Sequence, residues 1–225
     1  MIHKISIFLK TKFPKLVWKY APFIWKGNTG PSIKGVQKLF SNEESISDKM
    51  LLKGVLKISK VRKVNSICEF GSGAGRNLFY LLTKLPHISY LGFDINKSLV
   101  QGGNNYLKIN CQDDSIVLKE ANIEVINLKH YKSNIIFTSM TLMYIHPNKI
   151  SQVIKNIVEN ATSGVVFQEI QGVNDVSNPS AGYLHSYDNI LENLNLDFDI
   201  EKSIINLDAW TNNQYQAYQY TLIRK

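Results

Sequence analysis

The segment Ser66–Leu81 constrains the fold of this chain more than any other, because alternating glycines join a strand-type run to a helix-type run. Its sequence is SICEFGSGAGRNLFYL, with glycines at positions 71, 73 and 75. Glycines at such a joint let the backbone turn sharply and approach a ligand without interference from a Cβ atom. The ligand then meets the free N–H groups at the start of the helix. The segment therefore predicts a small-molecule pocket at the carboxyl end of a buried first strand.

Two cofactor classes use a joint of this kind, and the glycine spacing separates them. The dinucleotide fingerprint G-x-G-x-x-G would place its third glycine where this chain has Arg76, but here it comes one residue earlier, at Gly75. The resulting Glu-x-Gly-x-Gly-x-Gly pattern resembles the S-adenosylmethionine (SAM) loop of class I methyltransferases. An ordinary glycine-rich turn is the alternative. The resemblance implies that the amino acid part of SAM is held by Glu69, Gly71, Ser72, Gly73 and Gly75.

The second and third predicted strands each end in a polar residue that suits a nucleoside. Asp94 follows the run Ile88-Ser-Tyr-Leu-Gly-Phe about twenty residues after the glycine loop, where a carboxylate can accept both ribose hydroxyl hydrogens. Asp94 could also cap the helix that follows. The resemblance places Asn122, after the strand at 115–120, at the adenine-contacting position, with Glu120 as a competing candidate. We expect these polar ends to bind the adenosine part of SAM.

The fourth predicted strand gives a second resemblance, in the segment Phe137-Thr-Ser-Met-Thr-Leu-Met-Tyr-Ile-His-Pro147. Methyltransferases of this class commonly end this strand in Ser or Thr, followed by a bulky apolar turn and then His or Tyr near a proline. The resemblance implies that His146 faces the substrate, although a helix-start residue before Pro147 is an equal alternative. Four residues would lie beside the methyl donor: Thr138, Ser139, Met140 and Tyr144.

Strand and helix patterns alternate over most of the chain. We predict strands at 65–70, 88–93, 115–120, 134–140 and 163–169, and helices at 75–85, 96–108, 148–160 and 187–195. Such alternation indicates a mostly parallel sheet with helices on both faces, a Rossmann-like doubly wound α/β fold. Two strand-like runs, beginning at Asp197 and Gln216, then predict an antiparallel C-terminal edge pair. Residues 61–225 would form this SAM-binding domain.

The first sixty residues are predicted to form a separate basic, aromatic helical arm. Eight lysines and no acidic residue precede Glu43, so residues 1–42 account for the whole net charge of +8. The arm could pack on the domain as a lid with its lysines solvated. Residues 1–26 could instead rest on an anionic membrane surface, or the arm could approach nucleic acid. We favour the lid.

A helix is predicted to begin within the segment Ser41-Asn-Glu-Glu44, which has the spacing of a capping box. Its buried side would carry Ile46, Met50, Leu51 and Val55.

Cysteine and histidine content bears on compartment and metal binding. Cys68 and Cys111 do not form a disulfide framework, which suits a reducing cytoplasm. The five histidines lack the close paired spacing of a zinc site, so no metal is indicated. Lysines interrupt the apolar run at the N-terminus, which argues against a secretory signal. We expect a cytoplasmic protein, with peripheral membrane contact left open and no oligomeric state indicated.

The expected reaction is methyl transfer from SAM, and three residues could act as a general base if the acceptor needs one. These candidates are His146, Glu169 and His185, and Glu169 could fix the imidazole of His185 across the pocket. Glu169 could equally be a solvated strand end, and His185 a loop residue. The segment around Phe137 is also similar to small bacterial methyltransferases associated with surface-sugar biosynthesis. Aromatic residues that could line an acceptor pocket or belong to the core are Tyr144, Tyr183, Tyr187 and Trp210.

We therefore expect a methyltransferase acting on an O or N atom of a small molecule or glycan precursor. Three alternatives remain from the residues alone. The arm could direct methylation to RNA or protein, the glycine loop could serve a NAD-type oxidoreductase, or the chain could be a non-catalytic module that binds RNA or membrane.

Overall fold

The computed structural model describes residue 40 and residues 43–111, 115–172, 182–206 and 215–225. Most of the predicted arm therefore lies outside the described residues, as does Trp210. The helices of the described part are α1 Ile46–Val61, α2 Arg76–Lys84, α3 Lys97–Asn110, α4 Pro147–Asn160 and α5 Tyr187–Asn193. The strands are β1 Ser66–Phe70, β2 Ser89–Asp94, β3 Ile116–Glu120, β4 Ser133–Ser139, β5 Ala161–Gly172, β6 Phe198–Ile205 and β7 Tyr215–Arg224.

The seven strands form one sheet in the order β3-β2-β1-β4-β5-β7-β6. Strands β1 to β5 pair in parallel, and β7 runs antiparallel to both β5 and β6. The mostly parallel sheet with an antiparallel C-terminal pair is therefore confirmed. The strand order reverses between β1 and β4, and in open α/β sheets ligands bind at the carboxyl ends of the strands beside such a reversal.

Helices cover both faces of the sheet because side chains alternate along each buried strand. On one face, α1, α2 and α3 pack on a cluster that includes Ile67, Phe137 and Val166. On the other face, α4 and α5 pack on a cluster that includes Cys68 and Phe167. Adjacent strand residues such as Ile67 and Cys68 thus belong to opposite layers.

The start of α1 differs from the prediction. The helix begins at Ile46, and its capping box is formed by Ser45 and Asp48 rather than by Ser41 and Glu44. The Ser45 N–H donates to Asp48 Oδ2 at 2.8 Å, and the Asp48 N–H donates to Ser45 Oγ at 3.1 Å. The prediction that Ile46 is buried was wrong, because half of this side chain is exposed, whereas Leu51 and Val55 are buried as expected.

Among the described residues, no helix has the length and apolar character needed to cross a membrane. The same part of the chain contains no group of three or more His, Cys, Asp or Glu side chains arranged to hold a metal ion.

Candidate active site

A cleft of about 270 Å³ opens at the carboxyl ends of β1 to β4. On one side lie the glycine loop and the residues that follow β2 and β3, and on the other lies the loop that follows β4. Described residues of the first side that line the cleft are Gly71, Gly73, Asp94, Ile95, Leu99, Ala121, Asn122, Ile123 and Glu124. Those of the second side are Ser139, Met140, Thr141, Met143, Tyr144, Ile145 and Ile170.

The glycine loop needs glycine at positions 71 and 73 for different reasons. Both have positive φ angles, 76° at Gly71 and 53° at Gly73. A Cβ atom on Gly71 would lie 2.7 Å from the Cβ of Thr141, so this position allows the two sides of the cleft to touch. A Cβ atom on Gly73 would face open space, with its nearest neighbour, Leu99 Cδ1, 3.9 Å away. Gly73 therefore keeps room for a ligand close to the backbone.

Asp94 fixes the glycine loop and lines the cleft at the same time. Its Oδ2 accepts the Gly73 N–H at 2.8 Å, and its Oδ1 accepts the Asn96 N–H at 2.7 Å. The Phe93 carbonyl accepts the N–H groups of Gly71 and Ser72 at 2.7 and 3.0 Å. Burial raises the pKa of the Asp94 carboxyl, and its two N–H donors oppose that shift. Each carboxylate oxygen keeps a second lone pair with which it can bind a hydroxyl group.

Glu69 lies buried beneath this loop and has one oxygen without a partner. Asn77 Nδ2 donates to its Oε1 at 2.7 Å, whereas its Oε2 has no hydrogen-bond partner among the described residues. Burial raises the pKa of Glu69 to about 8; the Asn77 hydrogen bond opposes this shift, and the charge of Asp94 adds to it. A buried polar atom without a partner costs free energy, which a hydrogen-bond donor from a ligand or a water would offset.

The segment after β3 forms a turn against an apolar wall. Asn122 Oδ1 accepts the Glu124 N–H at 3.1 Å, which leaves the Nδ2 hydrogens of Asn122 for a ligand. Glu120, the competing sequence candidate, is exposed and is not among the described residues that line the cleft. The apolar wall beside Asn122 suits a flat ring, and it consists of Ile95, Leu99, Ala121 and Ile123.

Sequence reasoning missed this wall, although a signal for part of it was present. Ile95 follows Asp94 directly, and Leu99 lies in the first turn of α3, which begins at Lys97. Apolar residues this close to the predicted ribose site were the available signal.

The loop after β4 has a strained start at Met140. Its φ of 52° is unusual for a side chain without a local polar group, and such backbone costs about 1–3 kcal/mol. The Met140 N–H donates to the Gln168 carbonyl at 2.8 Å, which helps to hold this conformation. Ser139 Oγ donates to Gln168 Oε1 at 3.3 Å, so β5 also orients a hydroxyl group that lines the cleft.

Glu169 is buried beneath the loop after β4 and accepts three hydrogen bonds from it or from the strand before it. The donors are Thr138 Oγ1 at 2.7 Å, the Thr141 N–H at 3.2 Å and the Leu142 N–H at 3.1 Å. Burial raises the pKa of Glu169 to about 7, and these donors oppose the shift. It is neither a solvated strand end nor one of the described residues that line the cleft.

His185 holds the same loop from the other side. Its Nε2 lies 3.2 Å from the Leu142 carbonyl, and because a carbonyl only accepts, Nε2 is the donor. The neighbouring Tyr183 N–H donates to the Met143 carbonyl at 2.7 Å. Burial lowers the pKa of His185. Among the described residues, no hydrogen bond joins His185 to Glu169; both instead bind the backbone of residues 141–143.

His146 is exposed and caps the start of α4. Its Nδ1 accepts the Asn148 N–H at 3.2 Å, and its ring meets the ring of Tyr183 edge-on at 5.3 Å between centroids. It follows Ile145, which lines the cleft. Of the three predicted bases, His146 is therefore the one on the surface beside the cleft.

Comparisons with known proteins agree with this geometry. A family model described as a methyltransferase domain matches residues 68–167, which span the glycine loop, the cleft and β5 as far as Phe167. Residues 68–167 are therefore a methyltransferase domain, and the fold is that of class I SAM-dependent methyltransferases. The NAD-type alternative is therefore set aside, and SAM is the cofactor that this family uses.

Solved structures show the same fold at low sequence identity. The N-terminal domain of EvdMO1 with SAH bound superposes with a TM-score of 0.64 at 12% identity, covering 100% of this chain and 98% of that one. Magnesium protoporphyrin IX methyltransferase (ChlM) from Synechocystis PCC 6803 with SAH gives 0.63 at 12% identity, covering 99% and 100%. Phosphoethanolamine N-methyltransferase 2 from Haemonchus contortus with SAM gives 0.63 at 11% identity, covering 86% and 57%. No curated protein matches this methyltransferase in a sequence search.

The residues present fit a SAM molecule in the cleft. The open space at Gly73 leaves room for a ligand against the backbone. Beneath the loop, the Oε2 of Glu69 has no partner among the residues described, and an ammonium group could supply a donor. Asp94 and the apolar wall beyond it offer matching surfaces for a ribose and a flat base.

Proposed function

We propose that this protein transfers a methyl group from SAM to an O or N atom of a small molecule or glycan precursor. The observation that carries the proposal is the cleft between the glycine loop and the loop after β4, where Gly73 keeps the backbone open to a ligand. Within this proposal the chain binds the cofactor at three places. Glu69 and the glycine loop hold the amino acid part, Asp94 the ribose, and Asn122 with its apolar wall the adenine.

The bound cofactor supplies an electrophilic methyl group, and the work of the protein is mainly to position it. Well-oriented reactants can gain roughly 7–11 kcal/mol in this way. Ser139 and Met140 lie at the carboxyl end of β4 on the far side of the cleft from Asp94, and we place the transferred group beside them. The strained backbone of Met140 and its bond to β5 would keep this surface fixed during the reaction.

We propose that a small acceptor binds on the side of the loop after β4. This side presents Met140, Tyr144 and Ile170, which suit the apolar face of a sugar ring or a similar small molecule. Proteins of similar fold support this choice. EvdMO1 has been crystallised with SAH and D-fucose, and ChlM and the Haemonchus enzyme are named for a porphyrin and for phosphoethanolamine.

The three candidate bases would have unequal access to such an acceptor. His146 is exposed next to the cleft, so we propose it as the residue that takes a proton if the acceptor requires it. Glu169 and His185 are buried and bound to the loop backbone, so we propose that they fix the acceptor surface. Roles for Glu169 and His185 in proton transfer stay predictions, and the Glu169→Gln variant described below tests the first of them.

The proposed function is tested by incubating the protein with methyl-labelled SAM and separate sets of nucleotide sugars, small amines and transfer RNA. We expect label in a sugar or amine fraction. Label in RNA alone would contradict a small-molecule acceptor. Removal of residues 1–40 would show in the same assay whether the basic arm selects the acceptor.

A further inference from the structure

A chain of hydrogen bonds connects the first turn of α1 to the buried carboxylate of Glu69. Arg76 follows the last glycine of the loop and opens α2, and its guanidinium group binds both carboxylate oxygens of Asp48. Arg76 Nη1 also donates to Asn77 Oδ1 at 3.2 Å. Asn77 Nδ2 in turn donates to Glu69 Oε1 at 2.7 Å. Each polar group in this chain is thus oriented by the one before it.

The start of the chain is itself held in place. Asp48 is only 2% exposed, and besides Arg76 it accepts hydrogen bonds from the backbone N–H and the hydroxyl of Ser45, both at 2.8 Å. A paired bidentate Arg–carboxylate contact fixes orientation as well as distance. A buried ion pair of this kind adds little net stability, because removing both charges from water costs about as much as their attraction returns. In some proteins such a pair serves to fix one conformation.

The same turn of α1 also reaches the other side of the cleft. Ser47 Oγ donates to Gln168 Oε1 at 2.9 Å, and Gln168 Nε2 donates to the Ser47 carbonyl at 2.9 Å. Gln168 Oε1 also accepts the hydroxyl of Ser139, which lines the cleft. Residues 45–48 therefore contact both the element that carries the glycine loop and the strand ends that face it.

The far end of the chain is the unpartnered oxygen. Asn77 holds Oε1 of Glu69, and Oε2 is a buried oxygen with no hydrogen-bond partner in the part of the chain that the structure describes. An ammonium group is the ligand chemistry that such an oxygen favours, since it brings both donors and an opposite charge. SAM carries one in its amino acid part.

We infer that Asp48, Arg76 and Asn77 are positioning residues that orient Glu69 toward the ammonium group of SAM. The first turn of α1 thereby takes part in cofactor recognition without touching the cofactor. This inference rests on the proposed binding of SAM in the cleft and adds to it the residues that set the direction of the carboxylate.

The test compares SAM with 5′-methylthioadenosine, which has the same 5′-thioadenosine nucleoside but a neutral thioether in place of the sulfonium and no amino acid part. Arg76→Lys keeps the positive charge beside Asp48 but loses the planar fork that reaches both Asp48 and Asn77. Asn77→Leu keeps the size of the side chain and removes both of its hydrogen bonds. Tyr80→Phe is the matched control, because it removes a 2.6 Å hydrogen bond to Glu44 between the same two regions without involving Glu69.

Calorimetric titration should show that Arg76→Lys and Asn77→Leu each weaken SAM binding about tenfold, the loss expected for one misoriented hydrogen bond to a charged group. Binding of 5′-methylthioadenosine should stay within about twofold of wild type, and Tyr80→Phe should leave both ligands unchanged. Equal losses of affinity for both ligands, or no loss for either, would overturn this inference but would not contradict the proposed function. A folded wild-type protein that binds neither ligand would overturn the proposed function, and the inference with it. If Asn77→Leu does not fold, Arg76→Lys decides, because it retains the buried charge pair.

Discussion

The two sides of the cleft are built in different ways. The cofactor side comes from one continuous stretch, residues 69–124, and depends largely on backbone groups, as in the bonds from Gly71, Ser72 and Gly73 to the end of β2. The acceptor side is assembled from distant segments, with Glu169 and His185 binding a loop that lies 27 to 43 residues earlier. The sides meet where Gly71 passes Thr141. A nearly local proposed cofactor site thus faces a proposed acceptor surface that depends on contacts between distant segments of the domain.

The largest effect should come from filling the cofactor side. Gly73→Asp places a side chain and a negative charge in the open space at this residue, and Asp is one of the residues that tolerate positive φ. We expect SAM affinity to fall by roughly 100-fold or more, equivalent to about 3 kcal/mol, with the fold retained.

Calorimetry measures that loss, and thermal unfolding verifies the fold. Gly73→Ala is the control, since its Cβ would lie 3.9 Å from the nearest atom and should reduce affinity much less. Unchanged SAM affinity in Gly73→Asp would show that the glycine loop is not part of the SAM-binding site.

The next effect concerns the acceptor side and should appear mainly as lost stability. Glu169 accepts hydrogen bonds from three donors. Glu169→Gln keeps the shape of the side chain but turns an NH₂ group toward one or more of these donors. We expect the free energy of unfolding to fall by about 2–3 kcal/mol, because a buried donor is left unpaired. SAM affinity should change far less.

Chemical denaturation and SAM titration together separate a loop anchor from a base. If Glu169 anchors the loop, the variant is less stable than the wild type but retains turnover when excess ligand keeps it folded. A variant of normal stability whose methyl transfer is abolished would instead assign Glu169 to proton transfer.

A smaller effect is a pH dependence confined to the amino acid end of the cofactor. The pKa of Glu69 is about 8 in the free protein, so Glu69 is mostly protonated at pH 7, and a bound ammonium group favours its ionised form. Binding of SAM should therefore release a proton, and affinity should rise by up to about tenfold per pH unit below pH 8. Above about pH 8 the rise ends, and affinity declines as the ligand amine, with a pKa of roughly 7.7–8.0, loses its proton.

Titration in buffers of different ionisation enthalpy measures the released proton directly. 5′-Methylthioadenosine lacks the amine and should show no such rise, nor should SAM binding to Glu69→Gln. An equal pH dependence for both ligands would show that Glu69 does not contact the amino acid part of SAM.

The smallest effect is expected at His146. His146→Ala removes the acceptor that caps α4 and should cost about 0.5–1 kcal/mol of unfolding free energy, whereas His146→Asn restores a cap and should cost almost nothing. The same pair distinguishes catalysis once an acceptor is known. If His146→Asn is fully stable and loses methyl transfer, the imidazole acts as a base. If both variants are fully active, His146 serves only as a helix cap.

The difference between the two sides also explains how much the sequence could predict. That Asp94 and Asn122 line the cleft could be predicted because each follows a strand in a fixed order after the glycine loop, and strand order determines which ends meet. The partners of Glu169 were not visible, because its bonds to Thr138 and Leu142 depend on the register between β4 and β5. The contact of Asp48 with Arg76 could not be predicted for a similar reason, since it joins residues of two helices that are 28 positions apart. The helix start was misplaced because Ser41 and Ser45 both precede an acidic residue three positions on, and only packing decides between them.

Direct titration of the folded protein with SAM, and with its demethylated product SAH, tests the central claim most simply. A cleft built around Gly73, Asp94 and Glu69 should take up one molecule of either compound per chain, and Gly73→Asp should abolish the signal. The absence of binding at two temperatures, by protein whose cooperative unfolding shows it to be folded, would contradict this account.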